Sequence, residues 1–154
     1  MASTINASTS PTTGIIATAD SSGNLTLQTD GTNALALVSG AVVNPTVKNY
    51  TESVVAIGTV TSSSTLDLTN GTVQTATLTA STACTFTMPT ATAGKSFTLF
   101  LRQPASTGNA SATFTGVVFN ATYTMTTTAG YLDILTFISD GTSWYGNAAL
   151  SFDY

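Results

Sequence analysis

Acid–base chemistry at neutral pH rests on seven carboxylates in this chain, because histidine is absent and Cys84 is the only cysteine. They are Asp20, Asp30, Glu52, Asp67, Asp133, Asp140 and Asp153. A glycosidase needs two such groups facing each other across a cleft of about 5–9 Å. Asp20, Asp30 and Asp140 fall in the turn sequences Asp20-Ser-Ser-Gly23, Asp30-Gly31 and Asp140-Gly141, and turn chemistry accounts for them. Asp133 is different. It lies inside the apolar run Tyr131–Ile138, on the side shared with Tyr131, Leu135 and Phe137. An inward carboxylate needs a partner, and the expected one is Arg102 or Lys95. Arg102, the sole arginine, ends the run Phe97–Leu101. Its guanidinium suits either an intrachain ion pair or an assembly contact with an Asp of a neighbouring chain. Asp133 and Arg102 are therefore the charged candidates for an assembly contact.

Tyr131, Trp144 and Tyr145 have the chemistry of an aromatic platform for a sugar ring. Adjacent residues of a strand point to opposite faces, however, so Trp144 and Tyr145 cannot both stack on one ligand. The period places Trp144 in the core and Tyr145 on the other side. Cys84 alternates with Phe86 and Met88 and reads as a small buried hydrophobe.

These counts exclude several classes. Without histidine and with one cysteine, a single chain builds no Cys/His zinc site, no disulfide and no Ser-His-Asp or Cys-His group. No catalytic residue, metal or cofactor is expected. Three Lys and Arg residues against seven Asp and Glu give a net charge of −4, too few cations to neutralise a run of phosphates, so no nucleic-acid partner is expected. No apolar run approaches the ~18 residues of a membrane span, and MASTINASTS lacks the basic and apolar regions of a signal peptide. We therefore expect synthesis in a cytoplasm and no membrane partner.

The elements that position these residues are strands. Threonine occurs 34 times and serine 17 times among 154 residues, so a third of the chain carries a hydroxyl. Threonine is β-branched and fits a pleated surface better than a helix. Val73–Thr79, Cys84–Met88, Phe97–Leu101, Ala112–Thr115 and Tyr131–Ile138 alternate apolar and hydroxyl or polar residues with period two. Val117–Phe119 and the stretch from Trp144 to near Phe152 complete the set, and Val54–Ile57 favours a strand over a helical turn. Asn70-Gly71 and Asp140-Gly141 read as hairpin turns. Six to eight short strands separated by turns predict an all-β sandwich of jelly-roll type over 49–154.

Residues 1–48 contain no basic side chain before Lys48 and hold short apolar islands among turn residues. Gly-Asn-Leu-Thr-Leu27 and Asn-Ala-Leu-Ala-Leu37 resemble each other and read as two strands of an extended N-terminal arm. Such short pieces are marginal alone, which makes Leu25, Leu27, Leu35 and Leu37 candidates for contacts that pair the arm with something larger. Charged residues are only 6% of the chain, so its surface is clad in hydroxyls and amides or hidden against partners.

Residues 19–37, Asn49–Glu52, Leu66–Leu78, Thr85–Pro89, Gly94–Leu99 and Leu132–Gly146 together resemble structural proteins of tailed-phage virions, those of the capsid decoration, head fibre and tail fibre type. The block Asp140-Gly-Thr-Ser-Trp-Tyr-Gly146 is the most recognisable part. Many relatives carry a Trp-Pro-Gly-Gly loop near the position of Val118–Ala121; this chain lacks it, and contacts of that loop do not carry over. The resemblance implies a homotrimeric, non-enzymatic virion protein on the particle exterior, with the major capsid protein or other virion subunits as partners. A chain of 154 residues cannot supply a long fibre shaft, whereas an arm of 45 residues reaches about 150 Å when extended, long enough to lie across neighbouring capsid subunits. A head decoration or cement protein is the first expectation. A tail fibre or fibre tip that binds a host glycan is the alternative.

Overall fold

The computed structural model describes residues 48–154 and the backbone of two short strands, β1 (Gln28–Thr29) and β2 (Thr32–Asn33). These pair antiparallel, Gln28 opposite Asn33 and Thr29 opposite Thr32. Leu25, Leu27, Leu35 and Leu37 lie outside the described residues. The chain divides into two units, Met1–Lys48 and Asn49–Tyr154.

The second unit is all-β, as the hydroxyl-rich alternation predicts, and no helix occurs among the described residues. Its strands are β3 (Val54–Val60), β4 (Ser63–Thr65), β5 (Val73–Leu78), β6 (Ala83–Thr87), β7 (Ser96–Arg102), β8 (Ser111–Thr115), β9 (Val117–Phe119), β10 (Tyr131–Ser139) and β11 (Trp144–Asp153). A six-stranded sheet has the order β3-β5-β7-β10-β11-β9, and a three-stranded sheet the order β4-β6-β8.

From β3 to β8 the chain alternates between the two sheets, so β3–β4, β5–β6 and β7–β8 are three stacked rungs of a solenoid-like coil. Within each stack the strands run parallel. The direction then reverses: β10 is antiparallel to β7 and β11, and β9 lies parallel to β11 at the far edge. The turn signals predict antiparallel hairpins at Asn70-Gly71 and Asp140-Gly141. Asp140-Gly141 does close the β10–β11 hairpin, with Gly141 at φ +98°. Asn70-Gly71 instead carries the chain from one sheet to the other, between β4 and β5.

The parallel register stacks like on like. Ser64, Phe86 and Phe114 share one inward row, flanked by the outward rows Ser63–Thr85–Thr113 and Thr65–Thr87–Thr115. Phe86 and Phe114 stack at 5.1 Å between centroids, and the Thr85 and Thr113 hydroxyls lie 3.3 Å apart. One core joins the sheets: Val60, Ala76, Leu78, Leu99, Leu101, Leu135, Phe137 and Trp144 from the large sheet meet Cys84, Phe86 and Ala112 from the small one. Burying a side chain such as Phe86 contributes about 1.5–3 kcal/mol over leaving it exposed. Trp144 donates its indole N–H to the Pro89 carbonyl at 2.8 Å, so the largest core side chain leaves no polar atom unpaired.

Gly146 shows how tightly the end of this core is packed. It pairs with Phe119 across β11–β9, and a Cβ there would stand 2.6 Å from the Phe119 ring. Gly146→Ala is therefore expected to push Phe119 off its place between Phe114, Tyr123 and Phe137. The predicted cost is about 1–3 kcal/mol, read as a lower urea midpoint with an unchanged slope.

Candidate assembly surface

The large sheet is three strands wider than the small one, so the inner sides of β10, β11 and β9 extend past the edge of β8. The segment between β9 and β10 helps to cover them, with Tyr123 and Met125 packed against the core. That segment forms no strand, so its backbone needs partners other than a ladder. Two fully buried side chains supply them. Asp133 accepts hydrogen bonds from the Thr126 amide (2.9 Å) and the Tyr123 hydroxyl (3.0 Å) through one oxygen, and from the Ser151 amide (3.1 Å) through the other. Gln103 donates to the carbonyls of Ala110 and Thr126, each at 2.8 Å, and accepts from the Ala110 amide at 3.2 Å.

Asp133 sits at a bulge in the β10–β11 ladder, where the register shifts between Leu132 and Ile134. Ser151, opposite, has φ +66°. The carboxylate thus holds a backbone N–H at the point where the ladder is interrupted. Tyr123 is held above the ordinary tyrosine pKa, first by burial and then by the charge and hydrogen bond of Asp133.

These contacts change the sequence reading of the two charged candidates. Asp133 points inward as the alternation implied, but neutral donors of its own chain hold it, not Arg102 or Lys95. The guanidinium of Arg102 lies over the Tyr154 ring, 5.4 Å from its centroid. The Tyr154 hydroxyl donates to the Gln103 carbonyl at 2.7 Å, which fixes the ring beneath that cation. Tyr131 is half-buried, Trp144 is buried and Tyr145 is 45% exposed on the opposite face. No shared aromatic platform forms from these three. Sequence reasoning missed Gln103 and Gln74, both buried, since glutamine at a strand end or in a hydroxyl-rich strand carries no distinguishing signal. Gln74 donates to the carbonyls of Asp67 and Gly71, at 2.5 and 3.3 Å, while its own carbonyl is buried without a partner among the described residues.

The remaining surface with a definite chemistry is the outer face of the large sheet. Ser96, Ile138, Tyr145 and Val118 form one row across β7, β10, β11 and β9. Thr98, Thr136 and Asn147 form the next, then Phe100, Ile134 and Ala149, then Arg102, Leu132 and Phe152. Ile138, Val118 and Phe152 are 57%, 54% and 43% exposed. The outward positions of β5 are Val73, Thr75 and Thr77, and those of β7 are Ser96, Thr98, Phe100 and Arg102. Apolar outward positions are thus densest on β10, β11 and β9, and Phe100 of β7, Val73 of β5 and Val54 of β3 continue them on the same face. The outward positions of this strip carry no charge, and Arg102 stands at its border. Beside Tyr145 lies a hollow of about 350 Å3 lined by Ser96, Thr136, Ile138 and Asn147 among others.

Asp140 tops this strip. Its carboxylate accepts the amides of Thr142 and Ser143 at 2.7 and 2.8 Å and the Tyr145 hydroxyl at 3.1 Å. The amides of Ser143 and Thr142 hold it below the usual aspartate range, and the hydrogen bond to Asp140 raises Tyr145 in turn. Asp67 is lowered in the same way by the hydroxyl and amide of Thr69. Among the described residues, no three of His, Cys, Asp and Glu group as metal ligands, and no helix is long and apolar enough to cross a membrane. No known protein family, curated protein or solved structure matches this chain.

Two outcomes follow. Asp133→Asn exchanges an acceptor-only group for one that also donates, leaving a buried amide unpaired, at a predicted cost of about 1–3 kcal/mol in denaturant unfolding. Because the folded pKa of Asp140 is depressed, its stabilising effect is present above the ordinary value near 3.9 and is lost as pH falls through the lower folded value. An NMR titration is expected to show its carboxyl titrating below that value together with the Thr142 and Ser143 amides.

Proposed function

We propose that this chain is a non-enzymatic structural protein of a tailed-phage virion, a head decoration or cement protein that acts as a homotrimer. The observation that carries the reading is the uncharged apolar strip of β10, β11 and β9, which a lone domain leaves in water. The resemblance of residues 19–37 and of the strand segments to virion structural proteins points the same way. So does the use of carboxylates: Asp133, Asp140 and Asp67 are engaged in fold and turn contacts, and Glu52 binds the Thr72 hydroxyl. In this reading the strand-built body forms a knob on the particle exterior. Residues 1–48 extend as an arm to the major capsid protein, and the added buried area holds the shell together. The sandwich here is a wound one, its two sheets closing over one core without jelly-roll connections.

A second reading has a specific feature in its favour. The exposed ring of Tyr145, with its hydroxyl pinned by Asp140 and an uncharged hollow beside it, suits a neutral sugar, as a fibre tip would use. Mixing the purified protein with particles that lack it separates the two. The cement reading predicts that it sediments with heads and raises the temperature at which they release DNA. Sedimentation with tails, or with neither, overturns it.

A further inference from the structure

We infer that Asn70 is a site of spontaneous covalent modification, in which the Gly71 amide nitrogen attacks the Asn70 side-chain carbonyl and the residue becomes aspartate or isoaspartate. This chemistry goes beyond the assembly role and does not depend on it.

The reaction balances with water alone. A bond forms between the Gly71 nitrogen, which gives up its proton, and Cγ of Asn70. The side-chain nitrogen leaves as ammonia with that proton, and a cyclic imide remains. Water then opens the ring at one of its two carbonyls. One opening leaves an ordinary aspartate; the other routes the main chain through the former side chain as isoaspartate. A bulky neighbour shields the attacking nitrogen, and glycine, without a Cβ, leaves it open and free to turn. Asn70 is followed by glycine, whereas the other asparagines precede Ala, Leu, Pro or Tyr.

The fold leaves this pair free to react. Asn70 is exposed in the crossing from β4 to β5, and the Gly71 N–H has no backbone acceptor among the described residues. The chain is held on either side of it. The Asp67 carboxylate accepts the amide and hydroxyl of Thr69, and the Gly71 carbonyl accepts the Gln74 side chain at 3.3 Å. The second glycine turn is closed to the same chemistry. Gly141 donates its N–H to the Ser139 hydroxyl at 3.1 Å, and the Asp140 carboxylate is occupied by the Thr142 and Ser143 amides and the Tyr145 hydroxyl. An ionised carboxylate so engaged resists attack by an amide nitrogen.

The isoaspartyl product adds a methylene to the main chain directly ahead of Gly71, where space is short. A Cβ on Gly71 would stand 2.7 Å from the Ser53 carbonyl oxygen and 3.1 Å from the Val55 side chain. A displaced Gly71 withdraws its carbonyl from Gln74, the buried side chain that ties this crossing to the start of β5 beside β3. Isoaspartate thus loosens the first rung, while aspartate adds only a charge.

The test incubates the full chain in mildly alkaline buffer at physiological temperature and maps its peptides by mass spectrometry, separating asparagine, aspartate and isoaspartate forms. Asn70 is expected to convert about tenfold faster than any asparagine followed by a side chain with a Cβ, mostly to isoaspartate. Asn70→Gln, whose longer side chain disfavours ring closure, is expected to stop ammonia release at this position. An Asn70 that stays intact, or that converts no faster than Asn109, Asn120 or Asn147, overturns the inference. So does isoaspartate forming as fast at Asp140. The isoaspartyl form is then separated and unfolded in urea beside Asn70→Asp, which carries the charge without the methylene. A lower midpoint for the isoaspartyl form is expected, and equal midpoints overturn the loosening of the rung.

Discussion

The fold depends on the buried carboxylate of Asp133. Two sheets of unequal width cannot cover each other with strands alone, so part of the larger one is closed by a segment without a ladder of its own. Such a segment remains in place only if its backbone groups are satisfied away from water. Asp133 gathers an amide from that segment, an amide from the interrupted end of β11 and the Tyr123 hydroxyl. Gln103 adds the carbonyl of Thr126 and both polar groups of Ala110. Neutral donors suffice because three hydrogen bonds to one carboxylate stabilise its charge without a cation beside it.

This arrangement links interior to exterior. By holding the end of β11, Asp133 helps to set where Phe152 and Tyr154 emerge, and Tyr154 in turn lies beneath Arg102. The only arginine is thereby kept at the border of the outer strip. The ladder beneath the strip is continuous over Thr136–Asn147 and Phe137–Gly146, away from the bulge. Interior polar contacts and exterior apolar ones are thus two sides of the same pair of strands.

Much of this was legible in the residues. Alternation over Val73–Leu78, Phe97–Leu101 and Tyr131–Ile138 predicts strands and assigns their faces, and it sets Trp144 inward and Tyr145 outward as found. The Asp140-Gly141 hairpin also follows from its turn chemistry. Neighbour order does not, because period two says which way a side chain points and not which strand lies beside it. Asn70-Gly71 shows the difficulty: the same dipeptide that closes a hairpin also serves a crossing between sheets. The partners of Asp133 were hidden for a different reason. They are backbone amides and a tyrosine from a stretch with no periodic pattern, whereas charge alone suggested Arg102 or Lys95.

The two ends of the coil are not equivalent. At one end β10 and β11 seal the large sheet with strands of opposite direction, while at the other the first rung, β3 with β4, borders no further rung of the described unit. Lengthening by duplication is therefore possible on one side only. An extra turn inserted ahead of Val54 would find a matching parallel template, whereas one placed after Arg102 would have to displace the seal. A lineage built on this plan can vary its height at the amino-terminal side while the carboxy-terminal half, with its strip and its buried carboxylate, stays the same.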